Sequence, residues 1–359
     1  MAKILITSDI HLGAGGETIV PEAERIETFK QIAGLACEHD LMLIAGDLID
    51  SGDVSDEIKD IIKEEFRKIR EAGTEIVYTP GISEQSKVGG IYDFIGDFGA
   101  THIFNRRKIS APYSLTADGQ RLHIYGAVSS PHFNITNVKR RDEQGFHIGL
   151  FHSDFDFKKN KPGIRIMELD FYALGYGHSC KIFKVLDRVI GVKPGSPVAI
   201  TEKETGERYV LSVTVAGDAV SEIKHIPVNT VSVSAAKIDC GDYADSNALR
   251  DALMDKASDK TILVLSIEGE HSFTLSSVLE SLKEHFFDLR VTDNSIPSAD
   301  FLITSYAEEN SIRGEFFRIL QEKLSEKQTD KAILACLPQL LRFIMDDELK
   351  AMEEWLCAL

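Results

Sequence analysis

Short apolar runs of strand length alternate with charged stretches of helical period through the first half of the chain. KILITSD, LMLIAGD and EIVYTPG each run apolar and then break into carboxylate, glycine or proline. Between them, EAERIETFKQIAGLACEH sets Ile26, Phe29, Ile32, Ala33 and Ala36 at helical spacing. DEIKDIIKEEFRKIREAG is a strongly amphipathic helix that stops at Gly73. HIYGAV, FHIGLFH and IMELDFYALGYGH follow as further strands. This alternation predicts a layered α/β domain, in which ligands collect at the carboxyl ends of strands.

The pattern changes near residue 190. RVIGVKPGSPVAITEKETGERYVLSVTVAG has β-branched runs and turn dipeptides but little helical period, as antiparallel strands closing the first domain would. A second αβ pattern runs from about 220 to 305, and beyond about 310 the chain is helical. The organisation expected is a first domain over 1–195, closing strands and a small α+β domain over 196–305, and a helical region over 306–359 that either packs on its own chain or lays its apolar face on a partner.

The chemistry sits where the strands end. Asp9 and His11, two apart on an extended backbone, share one side. Asp47 follows the glycine after LMLIA and can reach the same point. Two oxygens and an imidazole nitrogen suit a divalent first-row metal, manganese foremost, with iron and zinc as the other choices. Acidic residues also end strands simply as turn formers; the two pieces together favour the metal. His152 ends HIGLF and His178 follows YALGYG, and both are candidates for the same site.

Size and charge set limits. At 359 residues the chain exceeds one compact core. No apolar run approaches the roughly 20 residues of a membrane span, and MAKILITSDIH reads as a first strand rather than a signal peptide. Five scattered cysteines without a CxxC pair fit a reducing cytoplasm. The formal charge of −17 is uneven: residues 1–195 carry 24 basic against 28 acidic side chains, leaving 16 against 29, a net of −13, for the rest. Residues 100–165 hold 11 basic and 5 acidic groups, concentrated in NRRK (105–108), KRR (139–141) and KKNK (158–161). They are either a strip that guides a phosphate backbone or solvated loops.

With these residues in place, the sequence resembles the calcineurin-like metallophosphoesterase superfamily. Within it the chain is most similar to the SbcD-like DNA-repair exonucleases. Asp9-Ile10-His11 matches the D-x-H motif, and Gly46-Asp47-Leu48-Ile49-Asp50 matches G-D-x-x-D. His152 matches the lone histidine and His178 the last histidine of G-H-x-H. PGSP (194–197) and ETGER (204–208) are similar to the strand pair that closes the nuclease domain in that group. The resemblance implies a four-layer αββα sandwich, a small α+β capping domain and a helical C-terminal tail.

The departures matter as much. Where the family has G-N-H-D, this chain has Gly81-Ile82-Ser83-Glu84, and in G-H-x-H the first histidine is Tyr176. By that mapping Asp9, His11, Asp47 and His178 keep the first metal position, while the second retains only Asp47 and His152, so one ion is expected and a second is weak or absent. Glu84 or Tyr176 is available as a substitute oxygen. Asp50 and the basic strip are expected to orient the site or the substrate. The resemblance implies a metal-dependent phosphodiesterase, a hydrolase of the exonuclease type acting on DNA in repair, cytoplasmic and slowed by these losses. The other reading is a catalytically impaired scaffold that keeps the fold and one metal. Either way the implied partner is an SMC-like, SbcC-like ATPase gripped by the C-terminal helices, with no membrane association and with homodimerisation left open.

Overall fold

The computed structural model describes residues 1–14, 18–50, 54–81, 84, 98–106, 108–109, 111–128, 135, 138–155 and 168–325. They fall in two compact units, Met1–Val233 and Ser234–Leu359. Ile82, Ser83, the KKNK segment and the apolar tail positions beyond 325 lie outside the described residues.

In the first unit the strands are β1 (Ala2–Thr7), β2 (Leu41–Ile44), β3 (Glu75–Tyr78), β4 (His102–Ile103), β5 (Tyr113–Ala117), β6 (Gln120–Gly126), β7 (Phe146–His152), β8 (Phe171–Gly175), β9 (Lys181–Val185), β10 (Arg188–Lys193), β11 (Tyr209–Ala216) and β12 (Ala219–Pro227). One six-stranded sheet runs β12-β11-β1-β2-β3-β4 and a second runs β5-β6-β7-β8-β10-β9. The middle strands are parallel in both.

Period-two alternation divides each strand between two cores. Ile4, Ile6, Leu41, Leu43 and Val77 meet Leu122, Ile124, Ile148, Leu150 and Ala173 in the layer between the sheets. Leu5, Met42, Ile44 and Ile76 face the other way, onto Phe29 and Ile32 of α1 (Glu22–Ala36) and Ile62, Phe66 and Ile69 of α2 (Asp56–Glu71). Because both faces are covered, β1 and β2 read as nearly continuous apolar runs. Ser55 caps α2 by accepting from Ile58 N, Asp56 and Glu57 occupy its first turn, and Lys68 and Arg70 its last, as the helix dipole favours. The α/β class and paired-sheet core are those expected.

The units divide at Val233, not at 195, because β11 and β12 complete the first sheet: β11 lies antiparallel to β1, pairing Ile4 with Val213 and Ile6 with Leu211. In the second unit, β13 (Ser232–Asp239), β14 (Ser258–Glu268) and β16 (Phe286–Asp293) make a three-stranded sheet; β15 (Glu270–His271) pairs with β17 (Ile296–Pro297). Helices Ser246–Met254 and Leu275–Lys283 cover the three-stranded sheet through Leu249, Leu253, Val278 and Leu282. Helices Ala299–Tyr306 and Ile312–Ser325 bury Leu302 and Phe317 against each other. Among the described residues no helix is long and apolar enough to cross a membrane, and Cys37, Cys180 and Cys240 are unbridged.

Candidate metal centre

The loops after β1 and β2 run side by side. Asp9 N donates to Gly46 O, Ile10 N and His11 N both donate to Asp47 O, Leu12 N donates to Leu48 O and Asp50 N to Leu12 O. This ladder brings together carboxylates and an imidazole that are about forty positions apart in sequence. Asp9 (φ 53°), His11 (φ 53°) and Asp47 (φ 50°) all adopt the left-handed conformation, which costs an L-residue free energy and persists where the surroundings over-determine it. Gly46 leaves the space for β7: a Cβ there would collide with the ring of His152. A Cβ at Gly81 would strike the Asp47 carboxylate.

Five of the expected ligands converge. Ligand atoms of Asp9, His11 and His178 lie within 4.8 Å of one another, and so do those of Asp9, Asp47 and His152. Asp9 thus belongs to both groups, whereas the motif mapping assigns it only to the first. His11 Nε2 is 3.7 Å and His152 Nε2 3.4 Å from Asp47 Oδ2.

Each of the three imidazoles is held from behind by an oxygen. His11 Nδ1 lies 2.8 Å from Asp50 Oδ1, His152 Nδ1 3.0 Å from Ala45 O, and His178 Nδ1 2.8 Å from Glu204 Oε1. A carbonyl or carboxylate has no proton to give, so Nδ1 is the donor in each ring, and in the neutral ring Nε2 carries the lone pair. Such outer partners fix ring orientation at metal sites. Asp50, expected to orient the site or the substrate, therefore orients His11.

Electrostatics agree. Burial alone would raise Glu204, but the hydrogen bond from His178, the Ile200 N–H and the nearby Arg208 hold it down to about 2. The same hydrogen bond raises His178, against burial. Ser196 Oγ and Thr201 Oγ1 also donate to Glu204.

Two buried atoms in the cluster, Asp9 Oδ2 and His11 Nε2, have no hydrogen-bond partner. Buried polar groups are normally satisfied. Oxygen and nitrogen donors at these separations suit a cation bound at about 2.0–2.2 Å from each. The donor set fits a divalent metal.

Glu84 is not a replacement ligand. Its carboxylate accepts from Asp47 N at 3.0 Å, Ile49 N at 3.1 Å, Gly81 N at 2.6 Å and the Tyr78 hydroxyl. It braces the backbone that presents Asp47. Burial and the Asp47 charge push its pKa up, against the pull of those donors. Tyr176 sits beside His152, ring centroids 5.5 Å apart and nearly perpendicular. Within the basic segments, two of the described side chains are already paired. Lys139 pairs with Glu168 and Arg140 with Asp170, at the start of β8 and so the opposite end of that strand from Gly175.

Glu204 escaped the sequence reading as a partner of His178. The two are 26 positions apart, and only the ETGER stretch marked the place.

The profile of the calcineurin-like phosphoesterases matches residues 2–190, over half of the chain. The chain belongs to this family. It is 26% identical over 193 residues to the uncharacterized metallophosphoesterase YhaO of Bacillus subtilis, covering 49% of this chain and 46% of that protein. It is 24% identical over 217 residues to the DNA double-strand break repair protein Mre11 of Methanopyrus kandleri, covering 54% and 48%. The match thus spans less than half the length of these curated relatives. A solved archaeal phosphodiesterase is similar with a TM-score of 0.36 at 14% identity, over 63% of this chain and 99% of its own. Members of this family use divalent metals, and the cluster supplies the residues for one.

Proposed function

We propose that the protein is a metal-dependent phosphodiesterase of the SbcD-like nuclease type, hydrolysing DNA phosphodiester bonds at a reduced rate. The carrying observation is the set of three imidazoles with capped Nδ1 atoms, gathered with Asp9 and Asp47 into two overlapping groups that share Asp9. When bound there, a divalent ion activates water and offsets the charge of the phosphoryl group. Asp9, His11, Asp47 and His178 would hold it, and manganese suits this mixed nitrogen and oxygen set. Asp50, Ala45 O and Glu204 keep the three rings in register. His178, Asp50 and Tyr176 are the partly exposed members, so substrate would approach from their side. The likeness to Mre11 of M. kandleri supports DNA as the substrate, and the helical C-terminal region supports an SMC-like ATPase as the partner.

Tyr176, where the family has an imidazole, favours the second reading of an impaired scaffold. One experiment separates the two. Manganese-loaded protein is assayed on bis(p-nitrophenyl) phosphate and on linear duplex DNA, beside Asp47→Asn and His178→Ala. Turnover lost in both variants supports the enzyme. No turnover on either substrate, with metal demonstrably bound, leaves the scaffold.

A further inference from the structure

Tyr176 is held in place and yet open. Its backbone is left-handed (φ 67°), directly after Gly175, where a Cβ would run into the Ala45 carbonyl, so the chain must turn at once. Lys193, itself buried, donates from Nζ to Tyr176 O at 3.2 Å and to Ser153 O at 3.0 Å, tying the loops after β8 and β7 together. The ring contacts His152 in a T-shaped geometry and stays 44% exposed. A bulky side chain kept in a strained conformation beside a metal cluster marks a functional position. A half-exposed aromatic face on an anchored backbone is what a flat ring stacks on.

We infer that Tyr176 is a stacking platform that selects phosphoesters carrying a nucleobase next to the phosphate held at the cluster. The inference rests on the phosphodiesterase reading and names its substrate class. The ring, not the phenolic oxygen, does the selecting, which separates this role from that of a substitute ligand.

The test compares deoxyadenosine monophosphate with deoxyribose 5-phosphate by calorimetry on manganese-loaded protein. Stacking should favour the nucleotide by about tenfold or more. Tyr176→Phe keeps that margin, and Tyr176→Leu reduces it to about twofold or less. A full margin in Tyr176→Leu, or its loss in Tyr176→Phe as well, overturns the inference. Hydrolysis of bis(p-nitrophenyl) phosphate is followed in parallel. If the protein turns this ester over but shows no base preference, the platform fails and the phosphodiesterase stands. If no ester is hydrolysed but the preference depends on the Tyr176 ring, the platform stands alone.

Discussion

His178 Nδ1 and Glu204 Oε1 lie 2.8 Å apart, and the carboxylate takes three further hydrogen bonds from Ser196, Ile200 and Thr201. The imidazole is therefore set by a partner that is itself immobilised. Glu204→Gln should weaken divalent metal binding by about 10–100-fold, the usual cost of an outer-shell change. Manganese titration followed by electron paramagnetic resonance would measure it. Glu207→Gln, at a carboxylate that accepts only from the Tyr209 hydroxyl among the bonds described, should bind like the wild type. Equal affinity in Glu204→Gln and wild type would mean that His178 does not hold the ion.

By the resemblance, Tyr176 and Ile82 stand in place of ligands of the second position, so the stoichiometry should be about one ion per chain even though Asp9 lies close to Asp47 and His152. Elemental analysis of purified protein would settle it, and two ions at full occupancy would contradict the reading. Ile82→Asn, Ser83→His and Tyr176→His combined should restore the second ion. They should also raise turnover about 10²–10⁴-fold, the range supplied by a general acid.

Glu84 binds three backbone N–H groups and the Tyr78 hydroxyl without solvent contact. Removing the carboxylate strands four buried donors, each costing roughly 1–3 kcal/mol. Glu84→Ala should therefore lose on the order of 4 kcal/mol or more of stability. It should also bind metal poorly, since Asp47 N is one of the released groups. Glu84→Gln, which can still accept from some of them, should lose less. Urea unfolding in the presence of chelator measures the first effect apart from the second.

Much of this was legible in the residues. The strand ends at Asp9, His11, Asp47, His152 and His178 could be placed because short buried strands of a parallel sheet are continuous apolar runs, and the polar break after them is conspicuous. What stayed hidden was of two kinds. Strands β5 and β9 are edge strands with mixed exposure, so they lack such a run. β5 turns back through Asp118-Gly119, a dipeptide that favours tight hairpins, but β9 does so through Leu186-Asp187, which carries no such signal. The supporting shell was hidden for another reason: Ala45 O and the N–H groups on Glu84 are backbone atoms, and every sequence has those. The KRR segment could be read either way, because a sequence shows charges but not the Glu168 and Asp170 that pair with Lys139 and Arg140.

His123 and His147 form a second imidazole pair, stacked 4.6 Å apart on the paired strands β6 and β7, with His147 near the start of β7. His147 Nε2 donates to Glu143 O, and Nδ1 accepts from the Tyr125 hydroxyl. Arg140, Asp170 and His123 are the other charged or titratable groups acting on it. Burial is the largest cause and lowers its pKa. The unfolded chain, with histidine near 6.5, therefore takes up the proton first as pH falls. The contribution of neutral His147 is complete above about pH 6.5 and is lost as pH falls through its lower folded-state value. Melting curves in chelator from pH 7.5 to 5 should fall more steeply for wild type than for His147→Gln. Parallel curves would show that another group carries the acid limb.

The last expectation concerns the tail. Helices Ala299–Tyr306 and Ile312–Ser325 already satisfy each other through Leu302, Ile303, Phe317 and Leu320. The apolar positions Leu337, Leu340, Leu341, Phe343, Ile344, Leu349 and Trp355, which recur at three and four in the sequence, lie outside the described residues. With a net of −13 over residues 196–359, such a face suits a groove with a basic rim on a helical partner, which we take to be the SMC-like ATPase. Deleting 326–359 should leave metal binding and the melting transition of the first unit in place while abolishing co-purification with that ATPase. Trp355 is the single tryptophan, so a blue shift of its emission on mixing would report burial directly. If the truncated protein still binds, or Trp355 emission does not move, the tail serves its own fold and the partner must dock elsewhere.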